Sequence, residues 1–279
     1  MKPEPRDPNI RVTRADIADA VRAVGVVPGD TAIFHSSLSS MGTVVDGPVA
    51  VIDGFADAVG SAGTVAVPTL CPSKPEGDAS AIERWDPETT PSYVGLITET
   101  LRARSGAFRS DHHTHSITAI GRRAVELTRD HGAAGPRPSP FGTGAFARES
   151  PWQRLIDWNA AYCFIGVTFR VNTMVHCVEA TLAERALDAA DPDARDCLAA
   201  ELAGWEKPGP YPSIRVEDRE TIEEMLAGEG LMTYGKIGSA TLRCCRADAM
   251  VERWVAIVEQ EPERWLPDDY IDWLAKCPR

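Results

Sequence analysis

His176 and Glu179 are the residues of this chain whose types and spacing best suit chemistry. They lie in the run Asn172-Thr173-Met174-Val175-His176-Cys177-Val178-Glu179. On a helix, a spacing of three places both side chains on one face. An imidazole titrates near neutrality, and a carboxylate beside it can orient the ring and stabilise its protonated form, which is the composition of a general base. The alternative is a surface Glu beside a satisfied core His. Positioning such a pair requires a strand and a helix, and both are legible. Ala161 to Val167 (AYCFIGV) reads as a buried strand. Asn172 or Thr173 is a good N-cap for a helix through Met174, Val178, Thr181 and Leu182. The pair then stands near the carboxyl end of a strand, where open α/β sheets place their sites.

The same alternation of elements runs through the rest of the chain. Thr13, with Asp16 at the capping-box position, opens a helix whose apolar stripe is Ile17, Val21 and Val24. TAIF (31–34) reads as a buried strand that ends at His35 in the small-residue loop HSSLSSMG. A helix follows from about Pro48 to Val59, and GTVAVPTL (63–70) supplies another strand. This is the grammar of an α/β protein. Pro91-Ser92 opens a further helix with Val94, Ile97 and Leu101 inward, before a strand over 117–120. The final third alternates a polar helix (216–227), the strand-like GSATLRCC and an amphipathic helix (247–258). Segments 71–91 and 132–144, rich in Pro, Gly and polar residues, read as surface loops near the site. Residues 1–10 read as a disordered start. The tail, 259–279, carries two tryptophans and a tyrosine and is expected to pack on the body or on a partner subunit.

Composition narrows the function classes. A net charge of −12 argues against nucleic acid, which needs a basic footprint, and is compatible with a cationic ligand. No apolar run approaches the roughly 20 residues needed to span a bilayer, and the N-terminus lacks a signal-type apolar core, so a cytoplasmic address and no membrane partner are expected. The seven cysteines show no CxxC spacing and read as reduced, mostly structural thiols.

Three other constellations compete with the His–Glu pair. The histidines of Asp111-His112-His113-Thr114-His115-Ser116, with those of HCVE, invite a zinc or iron hydrolase, although no specific metal spacing is present. A nucleophilic triad lacks a G-x-S-x-G elbow, and Cys177 points away from its neighbour His176 on a helix, leaving Ser36 and Ser37 as open candidates. HSSLSSMG has the small residues of a phosphate-cradling loop but neither a Walker nor a Rossmann pattern.

Taken together, the segments resemble the aminoglycoside 3-N-acetyltransferase family, collinearly over most of the chain. PGDTAIFHSSLSSMG, GTVAVPT, WDPETTPSYVGLITETLR, RSDHHTHSITAIG, ESPWQRL, NTMVHCVEA and KIGSATLRC follow the family's order. The departures are His113 for a usual proline, Thr118 for a small apolar residue, Cys177 for an aliphatic one, and a loop from Cys71 to Trp85 without the tryptophan- and acid-rich insertion of many resistance enzymes.

The resemblance implies one compact α/β domain over 1–279, a mixed sheet flanked by helices, distinct from the GNAT acetyltransferases. It implies acetyl-CoA as donor, no metal, and direct attack by an acceptor amine of an aminoglycoside, with His176 as base and Glu179 orienting it. Ser36, Ser37, Ser116 and Ser150 are the implied cofactor contacts. Holding a polycation requires acidic side chains around the pocket, so Asp78, Glu83, Asp86 and Asp111, with His35 and His112, are the expected acceptor contacts. The expected assembly is a monomer or homodimer. The rival readings are a biosynthetic acyltransferase using acetyl- or malonyl-CoA on a small amine, the metal-dependent hydrolase, and a catalytically silent binding protein.

Overall fold

The computed structural model describes residues 4–71, 85–202 and 209–277. Its strands are β1 Arg11–Val12, β2 Thr31–Ser36, β3 Thr43–Val44, β4 Thr64–Pro68, β5 Phe108–Arg109, β6 Ile117–Gly121, β7 Ala161–Ile165, β8 Met232–Ile237 and β9 Ala240–Arg246. Its helices are α1 Arg14–Ala23, α2 Gly47–Val59, α3 Leu96–Arg102, α4 Ala124–Thr128, α5 Pro151–Asp157, α6 Val175–Ala189, α7 Pro192–Glu201, α8 Asp218–Gly228, α9 Ala247–Gln260, α10 Pro262–Trp265 and α11 Asp268–Leu274.

Seven strands form one sheet in the order β5-β6-β4-β2-β7-β9-β8. The centre, β4-β2-β7, is parallel, and antiparallel pairs close both edges. The sheet is therefore mixed, as expected. Its central strands are apolar runs because helices cover both faces. Successive residues point to opposite layers. Ala32 and Phe34 pack with Ile17, Val21 and Phe55 of α1 and α2, whereas Ile33, Tyr162 and Phe164 pack with Trp152, Val178 and Trp254 of α5, α6 and α9.

Local signals account for most boundaries. Thr13 and Asp16 form the reciprocal capping box at the start of α1. Ser150 caps α5 by accepting from the Gln153 amide. One helix departs from expectation: α3 begins at Leu96 rather than near Pro91. Gly95, with φ of 129°, lies outside helical space and starts the element late.

The expectation about the start of the chain changes. Residues 4–10 are not a loose start. Glu4 accepts from the Thr241 amide and pairs with Arg243 at 2.8 Å, and its own amide bonds the Gly166 carbonyl. Arg243 in turn reaches the Glu223 carboxylate at 2.6 Å, so a nearly buried ion network straps this segment across β9. At the other end Trp265, Tyr270 and Trp273 are buried against the body of this chain, with the Trp273 indole donating to the Leu198 carbonyl.

The β8–β9 turn gives a test of backbone geometry. Gly238 has φ of 59°, and a Cβ built there would lie 2.0 Å from the Met41 carbonyl oxygen. Gly238→Ala is expected to destabilise the fold by about 1–3 kcal/mol, read as a lower denaturation midpoint in urea. An unchanged midpoint would mean the turn relaxes freely.

Candidate active site

Helix α6 starts ten residues after β7 ends, and its first two turns carry the pair singled out above. Asn172 Oδ1 accepts from the Met174 amide and fixes the entry, although the helix proper begins at Val175 without a side-chain cap. His176 Nδ1 and Glu179 Oε2 are 2.6 Å apart. The Glu179 side chain is 1% exposed and that of His176 18% exposed. The other Glu179 oxygen accepts from the Ile214 amide at 2.8 Å. The carboxylate is thus held at both oxygens, which sets the ring orientation of His176 and leaves its Nε2 without a hydrogen bond among the described residues. A charge-assisted contact of this kind is stronger than a neutral one.

Aromatic rings form the wall around His176. Phe141, Phe146 and His115 lie with centroids 4.8, 5.3 and 5.5 Å from it. Behind them His112 stacks between His113 and His131. His131 is fixed by Ser110, whose hydroxyl accepts from the Ile117 amide and donates to His131 Nδ1, while His131 Nε2–H donates to the Ala145 carbonyl. Burial pushes the pKa of His112 down to about 2 and that of His131 to about 4, and holds His115 well below the ordinary range. The DHHTHS histidines are therefore neutral scaffold. Among the described residues no three His, Cys, Asp or Glu groups stand where they could share a metal ion.

A cleft lies between the loop after β2 and the start of α3. Its wider part, about 650 Å³, is lined by Arg6, Ser36, Ser37, Gly42, Gly95 and Thr98 among others. A narrower part of about 280 Å³ shares Ser36, Val94, Thr98 and Val167 with it and ends at His35, Arg170 and Thr173. The Thr173 carbonyl accepts from the His176 amide at 3.1 Å, so the inner end of the cleft adjoins the first turn of α6. His35 is the second histidine of the site. It stacks on Phe164 and meets the Tyr162 hydroxyl at 2.8 Å. Burial lowers its pKa to about 3 and keeps the tyrosine protonated. Tyr162 O–H accordingly donates to His35 Nε2, and the remaining Nδ1–H is the donor His35 offers.

The other expected contacts fall in several places. The Ser36 and Ser37 side chains line the cleft, but the Ser37 amide donates to the Ile165 carbonyl and cannot bind a ligand. The Ser37 hydroxyl bonds Ser39 and Ser40, and neither serine is bonded to a histidine. Ser150 and Ser116 are fully buried. The first is a helix cap, and the second joins Arg109 to the Thr69 carbonyl, so both are scaffold where cofactor contacts were expected. Among the expected acceptor residues, His112 is engaged in the ring stack. Asp86 caps its own turn through the Glu88 and Thr89 amides, and Asp111 accepts from the Trp85 indole. Asp78 and Glu83 lie outside the described residues. Cys177 is buried, and its thiol is pushed up to about 12, which removes it as a nucleophile at neutral pH.

Four features of the site were not legible in the sequence: the Ile214 amide on Glu179, Tyr162 on His35, the phenylalanine wall, and Arg170 in the cleft. Each joins segments distant in the chain and carries no local spacing signal.

The fold and site together define an α/β protein with a hydrogen-bonded histidine–carboxylate pair on the helix that follows the last parallel strand, one backbone hydrogen bond from the Thr173 end of a narrow cleft. Residues 33–259 match the family model described as aminoglycoside 3-N-acetyltransferase, and the chain belongs to that family. It is 33% identical over 183 residues to aminoglycoside N(3)-acetyltransferase VII of Streptomyces paromomycinus, a match covering 61% of this chain and 60% of that protein. It is 27% identical over 265 residues to the SPbeta prophage-derived aminoglycoside N(3')-acetyltransferase-like protein YokD of Bacillus subtilis, covering 87% and 92% respectively. Among solved structures, aminoglycoside acetyltransferase AAC(3)-Xa superposes with a TM-score of 0.67 at 26% identity, covering 90% of this chain and 93% of that one. AAC-IIIb, solved as a binary complex with CoASH, shares the fold with a TM-score of 0.68 at 22% identity, covering 91% and 98%. No helix among the described residues is long and apolar enough to cross a membrane.

Proposed function

We propose that this protein transfers an acetyl group from acetyl-CoA to an amine of an aminoglycoside, by direct attack in a ternary complex. The observation that carries the reading is the 2.6 Å His176–Glu179 contact, one backbone hydrogen bond from the Thr173 end of the cleft, in a chain of this family. The donor's pantetheine arm lies in the cleft past Ser36, Ser37 and Gly95, and the thioester reaches the end lined by His35 and Thr173. The acceptor ammonium must lose a proton before its nitrogen can attack the thioester carbonyl. His176 Nε2 takes that proton, and buried Glu179 stabilises the imidazolium that forms. His35 Nδ1–H donates to the carbonyl oxygen as negative charge develops there. The intermediate then expels the CoA thiolate, which takes up the second proton of the attacking nitrogen, and leaves an amide and free CoA thiol. No step requires a covalent acyl-enzyme or a metal ion.

The assay is thiol release from acetyl-CoA with a panel of aminoglycosides and small amines, run with and without prolonged chelation. Turnover is expected with at least one aminoglycoside, unchanged by the chelator. It should weaken as salt is raised, because recognition of an exposed polycation is screened. Absence of turnover with every aminoglycoside, alongside turnover of a small amine, would replace the acceptor. Loss of activity together with a stoichiometric metal would replace the mechanism.

A further inference from the structure

The α3 side of the cleft is built from a stretch that packing does not hold. None of residues 85–96 is buried, and Tyr93 and Leu96 are 74% and 60% exposed. Val94, Gly95 and Leu96 nevertheless line the wide part of the cleft, and Val94 lines the narrow part as well. A segment with so few buried apolar contacts opens readily unless hydrogen bonds fix it.

Arg109 supplies several of them. Its Nε–H donates to the Ser116 hydroxyl at 3.0 Å. Nη1 donates to the Pro87 carbonyl at 3.3 Å and to the Thr90 carbonyl. Nη2 donates to the Thr69 carbonyl at 2.7 Å and to the Cys71 sulfur at 3.1 Å. All five donors of the guanidinium fork are thereby used. The guanidinium carbon also lies 4.5 Å from the centroid of the Trp85 ring, a cation–π contact. Thr69 and Cys71 follow β4 and Ser116 precedes β6, so one side chain fastens residues 85–90 to the sheet. Helix α3 completes the hold from its own side: Glu99 accepts from the Ser92 amide at 2.7 Å, and Arg102 donates to the Glu88 carbonyl at 2.5 Å. Among the described residues Arg109 donates to no carboxylate, so its contribution is the geometry of the fork. Lysine carries three donors on a compact ammonium and cannot reproduce that geometry.

We propose that Arg109 is a positioning residue for the acyl donor: by clasping Trp85, Pro87 and Thr90 to the end of β4, it sets the place of Val94 and Gly95 and hence the width of the channel that takes the pantetheine arm. Arg109 lines neither part of the cleft and acts through these residues. The proposal rests on the acyl-transfer reading for the identity of the ligand.

Calorimetry with CoA on the wild-type protein, Arg109→Gln and Arg109→Lys tests it without relying on turnover. Both variants should bind CoA about tenfold more weakly or worse, because the loosened wall must be ordered at the expense of binding. Lysine should recover little of the loss. In steady-state assays the KM for acetyl-CoA should rise in parallel, while kcat at saturating donor stays within about threefold of wild type, since Arg109 touches neither His176 nor Glu179. The urea midpoint of each variant reports whether it is folded. A folded Arg109→Gln protein that binds CoA as tightly as wild type would overturn the proposal, and so would a loss confined to kcat. Failure of both variants to fold would make Arg109 a stability residue and overturn it equally. A wild-type protein that binds no CoA would sink the acyl-transfer reading itself, and with it the donor role.

Discussion

His176→Ala is expected to lower kcat by about 10²–10⁴-fold with little change in CoA affinity, the range of a lost general base. The site holds no reserve. His35, His112 and His131 have pKa values pushed down to about 3, 2 and 4, and His115 is held low as well, so none is an effective base at pH 7. Glu179→Gln should cost less, because the amide keeps the shape and the contact to Ile214 while losing the charge that stabilises the imidazolium. Steady-state kinetics on both variants decide the matter. A His176→Ala enzyme that keeps more than about a tenth of wild-type kcat would remove this residue from the role of base.

The second large effect is on stability in mild acid. In the unfolded chain these histidines titrate near 6.5, whereas His35 and His112 inside the fold stay neutral until about pH 3 and 2. Above pH 6.5 both states are neutral and the histidines contribute nothing to pH dependence. Below it the unfolded chain binds protons that the folded one refuses, so stability is lost progressively down to the folded pKa values. Each of these two residues then costs about 2 kcal/mol at pH 5 and about 3 kcal/mol at pH 4. His115 and His131 act in the same direction. Their sum rivals the net stability of an ordinary domain. The urea midpoint should therefore fall steeply between pH 6.5 and 4. A midpoint constant from pH 7 to pH 5 would show that the ring cluster accepts protons without unfolding.

Most of the frame was legible because its signals are local. The Thr13–Asp16 capping box, the apolar run TAIF and the spacing of His176 and Glu179 each act within a few residues of themselves. The failures share a different cause. Val94 is apolar yet lines the cleft, because Gly95 delays the helix that would have turned it inward. Ser116 and Ser150 lie within family blocks, but burial decides their role, and it comes from Arg109 and from the start of α5. The DHHTHS run reads as ligands in one dimension. In three dimensions its rings pack on one another and on His131, a partner far along the chain.

The pairing of β2 with β7 has a consequence for how the protein is made. Ile33 lies opposite Tyr162 across this pair, and β2 is the strand on which the sheet is centred. On a ribosome adding about 5–20 residues per second, one edge of β2 waits on the order of ten seconds for its partner. During that interval β2 and β4 can join, but the other edge of β2, a strand almost wholly buried in the finished fold, stays open to other chains. Slow, long-range closure of this sort makes yield in the cell depend on translation rate and chaperone supply more than on the stability of the finished fold.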